Sequence, residues 1–342
     1  MQQRLVPATL IPGIIDLAIK NRISVENIFA SAKVDPALIG QSGAFLTFEQ
    51  ILRLFNAAFS AMNDPAFGIR LGESVQYHTL DLLGQLVATS RNLQEALDEL
   101  FQFKDLVAPF TIFGLEIKGR TAVLNFSIDP TIIKKNFEVH QDVVATTVVT
   151  IANAITEGGL RLKEVRFAHQ RPDYAAEYDR VFQCPITFGC VRNEIIFDRD
   201  QLQESLLTSY PEYHNRMQTL AREKLRSIEL GQSLEAKVAG FISKNLGVQA
   251  TQLEDVAANF NMTPRTLQRK LKQEGTSFVA VRDRCRHARA LRDLSDPSVE
   301  IETLAEVLGF SDTSNFYHAF KRWEGVSPGH YRKQALEQRG FS

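Results

Sequence analysis

One helix-turn-helix pattern occurs twice near the end of the sequence, and it constrains the fold more than any other feature. The first copy covers residues 253–271 and the second covers residues 301–322. Each has a short amphipathic helix with a small residue, Ala257 or Ala305, then a polar turn and a second helix. A small residue at a crossing lets two helices approach closely at a steep angle. The pattern therefore predicts an all-α C-terminal domain with two helix-turn-helix motifs.

The second helix of each copy has an apolar stripe that separates inward from outward side chains. Leu267 and Leu271 share one face in the first copy, and Phe316 and Phe320 share one face in the second. In such motifs the second helix enters the major groove of DNA, where arginine suits guanine and glutamine suits adenine. The residues predicted to contact DNA are Arg265, Thr266, Gln268, Arg269 and Lys272 in the first copy, and Thr313, Ser314, Tyr317, His318, Lys321 and Arg322 in the second.

Two longer motifs overlap these helices. They are Leu267-Gln-Arg-Lys-Leu271-x3-Gly275-Thr-Ser277-Phe278 and Phe316-x3-Phe320-Lys-Arg322-x2-Gly325-Val-Ser327-Pro328-x2-Tyr331-Arg332. Together they resemble the signature of the AraC/XylS family of bacterial transcription regulators. The resemblance implies that Arg265, Gln268 and Arg269 read bases, and it places His318 where the family often has arginine.

Charge is distributed unevenly over the two copies. Residues 262–292 carry nine basic and two acidic side chains, whereas residues 293–312 carry six acidic and no basic ones. Phosphate binding needs local positive charge, so a net charge of −1 for the whole chain does not oppose it. The first copy is therefore expected to supply most phosphate contacts, with Lys321, Arg322 and helix N-termini adding others. The acidic run could face solvent or a partner such as RNA polymerase.

A helix predicted over residues 278–294 joins the two copies. Its rise of about 25 Å is compatible with placing them in successive major grooves, about 34 Å apart, on somewhat bent DNA.

The earlier part of the chain alternates between helical and strand periods, which indicates an α+β domain with helices around a small, mostly antiparallel sheet. Ser24, Thr47 and Asn92 are predicted helix N-caps, and Thr47-Phe-Glu-Gln50 forms a capping box. A first helix is predicted over residues 5–17, and residues 10–62 as a whole are predicted to be helical. Further helices are predicted over 80–88, 92–103, 136–155 and 172–182. Strands are predicted over 115–117, 122–128, 165–169, 186–188 and 195–197, the first two as a hairpin.

Three further motifs lie in this domain: Val165-Arg-Phe-x-His169, Tyr178-x3-Phe182-x-Cys-Pro185-Ile-x-Phe188, and Asn193-x-Ile-Ile-Phe197 followed by Leu202. They resemble the arabinose-binding-like sensor domain of one AraC subfamily. The resemblance implies a small-molecule effector, a homodimer and an activator of transcription. The predicted organisation is a ligand-sensing and dimerisation domain at 1–205, a helical linker at 206–232 and a DNA-binding domain at 233–342.

Aromatic residues around the predicted hairpin are candidates for an apolar ligand pocket, although such residues are more often plain core. The candidates are Phe101, Phe110, Phe113 and Phe126, with His78, His140 and His169 as possible polar groups.

The sequence favours a DNA-binding protein without catalysis. Cys184, Cys190 and Cys285 are scattered, so neither a disulfide framework, a zinc site nor another cofactor is expected. No catalytic residue is expected, because no nucleophile-elbow, phosphate-loop, dinucleotide or zinc-protease motif occurs. Two alternatives remain: a ligand-independent dimeric regulator, and an enzyme fused to a DNA-targeting module.

The longest uncharged run, 143–156, is too short for a membrane span, so a cytoplasmic protein is expected.

Overall fold

A computed structural model describes residues 5–7, 11–38, 45–130, 133, 135–156, 159–231, 233–247, 251–294 and 296–337. The chain divides near residue 228 into two compact units. Each unit is described by itself below.

The N-terminal unit is the predicted α+β fold. Its helices are α1 (Ile11–Lys20), α2 (Val25–Ala32), α3 (Phe48–Met62), α4 (Phe67–Ser74), α5 (Asp81–Thr89), α6 (Leu93–Phe103), α7 (Phe137–Ile155), α8 (Ala176–Phe182) and α9 (Pro211–Gly231). Its strands are β1 (Leu5–Pro7), β2 (Phe45–Thr47), β3 (Thr111–Lys118), β4 (Thr121–Ile128), β5 (Leu162–Arg166), β6 (Ile186–Thr187) and β7 (Asn193–Asp198).

The main sheet has five strands in the order β3-β4-β7-β5-β6. Only the β5–β6 pair is parallel, which confirms the prediction of a mostly antiparallel sheet. The predicted hairpin is β3–β4, with Gly119 in the left-handed region (φ +60°) at its turn. The predicted inward set of β4 is buried: Ala122, Leu124, Phe126 and Ile128 are at most 2% exposed. Alternate side chains of this strand therefore form one wall of the core.

Local side-chain hydrogen bonds fix the predicted helix starts. The Thr47 hydroxyl accepts from the amide of Gln50 (3.2 Å), and the Gln50 side chain accepts from the amide of Thr47 (2.8 Å), which completes the capping box. Ser24 and Asn92 cap α2 and α6 through bonds of 3.2 and 2.9 Å. Each cap satisfies an amide that has no partner within its helix.

The predicted first helix from residue 5 is wrong at its start. Leu5–Pro7 is a strand that pairs antiparallel with Phe45–Thr47, and α1 begins only at Ile11. Pro12 fits there because the first turn of a helix does not need its amide hydrogens.

A helix that the sequence analysis did not predict, α4, lies where two glycines suggest a break. A β-carbon at Gly68 would lie 2.4 Å from the Val139 carbonyl oxygen, and one at Gly72 would lie 2.6 Å from the Thr146 β-carbon. The glycines therefore let α4 pack directly on the backbone of α7, and this gain outweighs their low helix propensity.

Two predicted boundaries near β5 and α8 are also wrong. The strand ends at Arg166 rather than at residue 169. Beyond it, the Ala168 amide donates to the Asn193 side chain (2.9 Å) instead of to a neighbouring strand. The helix begins at Ala176 rather than Pro172, because the residues before it form a turn. Helix α7 ends at Ile155, as predicted.

Helix α9 covers most of the predicted linker and packs on the core of the N-terminal unit. Ala221 is fully buried there, and Met217 and Leu225 pack beside it. His214 contributes a buried polar contact, because its Nδ1 lies 3.2 Å from the Thr89 hydroxyl. Gln232, the last predicted linker residue, lies outside the described residues.

The C-terminal unit is all-α, as predicted. Its helices are α10 (Leu234–Asn245), α11 (Leu253–Asn259), α12 (Pro264–Gln273), α13 (Phe278–Leu294), α14 (Ile301–Val307), α15 (Thr313–Glu324) and α16 (Pro328–Glu337). One small core lies around Leu267 and Leu271, and another around Phe316 and Phe320. Helix α13 has the predicted bounds and contributes to both cores.

Candidate nucleic-acid interface and ligand cavity

The two helix-turn-helix motifs close their turns in the same way. In the first, the Met262 amide donates to the Ala257 carbonyl (2.8 Å), and Asn261 is left-handed (φ 52°). In the second, the Phe310 amide donates to the Ala305 carbonyl (3.0 Å), and Gly309 is left-handed (φ 74°). A left-handed residue after a helix turns the chain so that the amide of the next residue can donate this closing bond to the last turn. The small residues predicted at the crossings are thus both buried and the anchors of the turns.

Helix α12 presents the predicted base-reading side chains to solvent. Its N-cap, Thr263, accepts from the amide of Thr266 (3.2 Å), and Pro264 occupies the first helical position. Leu267 and Leu271 are fully buried, which fixes the rotation of the helix. As a result, Thr266 is half-buried and the other predicted contacts are exposed: Arg265, Gln268, Arg269 and Lys272. Within the described part of the chain, these four side chains have no hydrogen bond or ion pair.

Helix α15 is held in the same way but presents a different surface. Asp312 caps it by accepting from the amide of Asn315 (2.7 Å), and Phe316 and Phe320 are fully buried. Thr313 is half-buried, whereas Ser314, Tyr317, His318, Lys321 and Arg322 are exposed. The guanidinium of Arg322 is paired with Asp283 of α13 (3.1 Å). A phosphate would have to compete with this carboxylate for Arg322.

The basic run predicted to meet phosphates is only partly available. Its members on α12 are exposed, but the five arginines of α13 all have partners within the C-terminal unit. Arg282 bonds to Gln252, Arg284 pairs with Glu235, Arg286 bonds to a backbone carbonyl, and Arg289 and Arg292 pair with Asp293. The arginines of α13 therefore offer less charge to phosphates than a count of basic residues suggests, and the exposed basic side chains of α12 are the ones that remain available.

Arg286 is the clearest example, because it is only 6% exposed. Its guanidinium donates to the carbonyl of Gly309 (2.6 Å) and lies 4.5 Å from the ring centre of Phe310. Burial, together with the charge of Arg282, lowers the pKa of Arg286 to about 10. This side chain therefore secures the turn of the second motif and does not face solvent.

We expect Arg286→Met to destabilise the second motif by about 2 kcal/mol, because it removes both the charged donor to the Gly309 carbonyl and the cation–π contact with Phe310. Trp323, the single tryptophan, reports on this core because its ring lies 6.2 Å from Phe310. Urea unfolding of the full-length protein followed by its fluorescence gives the change in free energy. The matched control is Arg284→Met, which removes a more exposed ion pair and should cost less than about 1 kcal/mol. Equal losses would contradict the structural role of Arg286.

The N-terminal unit contains a cavity of about 140 Å³ between α3, α5, α6, α7 and the start of β3. Of the predicted ligand-contact residues, Phe110 and Phe113 line it. Phe126 is instead buried in the main core, and Phe101 stacks on Phe113 from outside the lining (6.4 Å between ring centres). Apart from His140 on α7, the sequence analysis missed the lining contributed by α3, α5, α6 and α7, although the apolar faces of these helices are visible in the sequence.

The three histidines proposed as pocket groups have different environments. His140 lines the cavity, with its Nδ1 2.9 Å from the Asn136 carbonyl, and burial lowers its pKa to about 4. His78 is exposed. His169 lies in a buried cluster, 3.4 Å from Asp142, which also accepts a hydrogen bond from the Tyr178 hydroxyl (2.7 Å). Burial lowers the pKa of His169, but Asp142 outweighs it and leaves that pKa raised.

No helix among the described residues is both long and apolar enough to cross a membrane. In the same part of the chain, no cluster of three or more histidine, cysteine or acidic side chains has a geometry that could hold a metal ion.

Comparison with known proteins gives two family matches. A model described as the arabinose-binding domain of AraC transcription regulator matches residues 23–206, and a helix-turn-helix domain model matches residues 256–334. The chain is 24% identical to the ornithine utilization regulator of Pseudomonas aeruginosa, with 96% of each chain covered. It is 26% identical to the HTH-type transcriptional regulator VirS of Mycobacterium tuberculosis, over 87% of this chain and 88% of that one. The crystal structure of the regulator CdpR from P. aeruginosa aligns over 90% of this chain and 96% of that one, with 22% identity and a TM-score of 0.45.

Proposed function

Because the chain belongs to the AraC family of transcription regulators, we propose that it is a ligand-controlled activator that acts on promoter DNA as a homodimer. In this proposal the N-terminal unit binds a small molecule and the C-terminal unit reads the operator. RNA polymerase is the proposed partner at the promoter, and the bacterial cytoplasm is the proposed location. We propose no catalytic activity, in line with the relatives, which are named as regulators.

The cavity is the observation that carries the proposal of ligand control. It lies within the residues matched by the arabinose-binding domain model, and its walls come from four helices and one strand. Well-packed cores contain few voids larger than a water molecule, so an apolar cavity of this size favours a binding site over a packing defect.

The exposed side chains of α12 support the proposal of direct base readout. Arg265, Gln268 and Arg269 project from a helix whose inward face is fixed by two buried leucines. Their freedom from intramolecular partners within the described residues leaves these groups available for base edges. Lys272 and Lys321 are proposed to contact phosphates, which fixes register without reading sequence.

Native mass spectrometry of the full-length protein tests ligand control and dimerisation together. We expect a dimer that carries a small molecule, or takes one up, and whose operator affinity changes when the molecule is bound. An empty dimer with an unchanged operator affinity would favour the ligand-independent regulator instead. A monomer at about 10 μM would contradict the proposed dimer, since stable dimers dissociate at much lower concentrations.

A further inference from the structure

We propose that the cavity takes a neutral, mainly apolar compound of about the size of one aromatic ring, held by a single hydrogen-bonding group, and not a sugar or a charged metabolite. This inference rests on the proposed ligand control and specifies the chemistry of its ligand.

The shape and lining of the cavity set the size and polarity of its occupant. Its volume of about 140 Å³ is close to that of an engineered apolar protein cavity, about 150 Å³, that stays dry and binds benzene. A compound of roughly six to ten non-hydrogen atoms therefore fits without rearrangement. Aromatic and branched aliphatic side chains form most of the lining, represented by Phe48, Phe110, Phe113, Leu83, Leu97 and Val148.

The few polar side chains in the lining are almost all engaged. The Thr111 hydroxyl donates to the Ala108 carbonyl (2.7 Å), and the Lys104 ammonium is paired with Asp105 (2.6 Å). His140 stays uncharged near neutral pH, and its ring lies tilted against that of Phe55, with 3.9 Å between ring centres. A sugar would exchange several hydrogen bonds with water for this apolar lining, and an anion would have to displace Asp105 from Lys104.

Thr147 is the exception. It lines the cavity from α7, and its hydroxyl oxygen is buried without a hydrogen-bond partner among the described residues. Buried hydroxyl groups in folded proteins almost always have a partner. The oxygen itself has almost no accessible surface in this rotamer, so rotation about the Cα–Cβ bond of Thr147 has to turn it towards the cavity. Once turned, the hydroxyl pairs with a polar group of the ligand, such as a phenolic hydroxyl or a carbonyl oxygen.

Phenol and toluene form a matched pair of probes, because they have nearly the same shape and differ by one hydroxyl group. We expect both to bind the full-length protein in titration calorimetry, whereas benzoate and arabinose do not. Thr147→Val replaces the hydroxyl with a methyl group of the same shape. It should weaken phenol binding roughly three- to tenfold and leave toluene binding unchanged.

Two further variants locate the site. Ala96→Phe places a ring in the cavity from α6 and should abolish binding of both probes, provided that circular dichroism shows the variant to be folded. Thr150→Val makes the Thr147 change at a position of α7 that does not line the cavity, and it should leave both affinities unchanged. If Ala96→Phe does not fold, the Thr147→Val result alone decides.

Three results would overturn the proposal. They are phenol binding that Thr147→Val leaves unchanged, probe binding that persists in folded Ala96→Phe, and selective binding of benzoate or arabinose. A different result bears on ligand control. If phenol binds as expected but the operator affinity is the same with and without it, ligand control fails and the assigned chemistry of the cavity stands.

Discussion

Lowering the pH from 7 to 4 is expected to remove about 3 kcal/mol of the stability of the N-terminal unit through His140 alone, of which about 2 kcal/mol is lost by pH 5. Burial lowers the pKa of His140 from its ordinary value of 6.5 to about 4. Between these values the unfolded chain binds a proton that the folded chain excludes. Stability is therefore complete above pH 6.5 and falls as the pH falls towards 4.

The other groups with shifted pKa values contribute mainly outside the interval from pH 6.5 to 5. The pKa of His169 is raised, so its contribution is complete below pH 6.5 and is lost as the pH rises through its folded pKa. Hydrogen bonds and neighbouring arginines or lysines keep the pKa values of Glu116 and Glu164 below their ordinary value, so their contributions are lost below about pH 4.5. The interval from pH 6.5 to 5 therefore reports mainly on His140.

Hydrogen exchange of α7 peptides in the full-length protein, corrected for the intrinsic pH dependence of exchange, measures this loss. His140→Phe keeps a ring against Phe55 but cannot titrate, so its stability should change little between pH 6.5 and 5. His78→Gln removes an exposed histidine and should keep the pH dependence of the parent protein. A parent protein as stable at pH 5 as at pH 7 would show that His140 is not buried as a neutral side chain.

The helix-turn-helix motifs were predictable because their determinants are local. Ala257 and Leu267 lie only ten positions apart, and a helical period together with a cap is enough to place each on the inward face of its own helix. The second copy repeats the arrangement with Ala305 and Phe316. The same logic recovered the β3–β4 hairpin, whose strands are adjacent in the chain.

Contacts between distant segments were not predictable in this way. The strand at Leu5 depends on a partner at Thr47, and helix α4 depends on two glycines that fit against α7. In both segments, tertiary packing determines the secondary structure and overrides the local propensity of the residues. The cavity is a similar case, because its lining runs from Phe48 to Ile155 and no single segment marks it.

Charge was the least predictable feature of the candidate DNA interface. A count of basic residues treats Arg269 and Arg286 alike, yet one is exposed on α12 and the other is buried against Phe310. Partners such as Glu235 on α10 and Asp293 on α13 itself decide which arginines remain available. The asymmetry between the motifs therefore has to be argued from the exposed side chains rather than from the net charge of each segment.

On that basis, the operator half-site read by α12 should be far more sensitive to base changes than the half-site read by α15. Helix α12 presents Arg265, Gln268 and Arg269 without intramolecular partners among the described residues. On α15, Arg322 is held by Asp283, which leaves Lys321 as the exposed lysine beside His318. Each mismatched base pair costs about 1–3 kcal/mol, roughly additively, so replacing two bases under α12 should lower affinity about a hundredfold or more. The same replacement under α15 should cost less than about tenfold.

The operator is first selected from random DNA with the full-length protein and then scanned base by base at fixed salt. Two triple-alanine variants provide the matched comparison: Arg265, Gln268 and Arg269 replaced together, and Ser314, Tyr317 and His318 replaced together. The first should lose most of the preference for the selected operator over random DNA, and the second should retain most of it.

Lys272→Ala should weaken binding to both kinds of DNA and reduce the slope of log affinity against log salt by about 0.9. Arg322→Met should change that slope less, because its charge is already neutralised by Asp283. Equal sensitivity of the two half-sites, or a larger loss from the α15 variant, would mean that α15 reads bases despite its paired arginine, and the proposed division between the helices would be wrong.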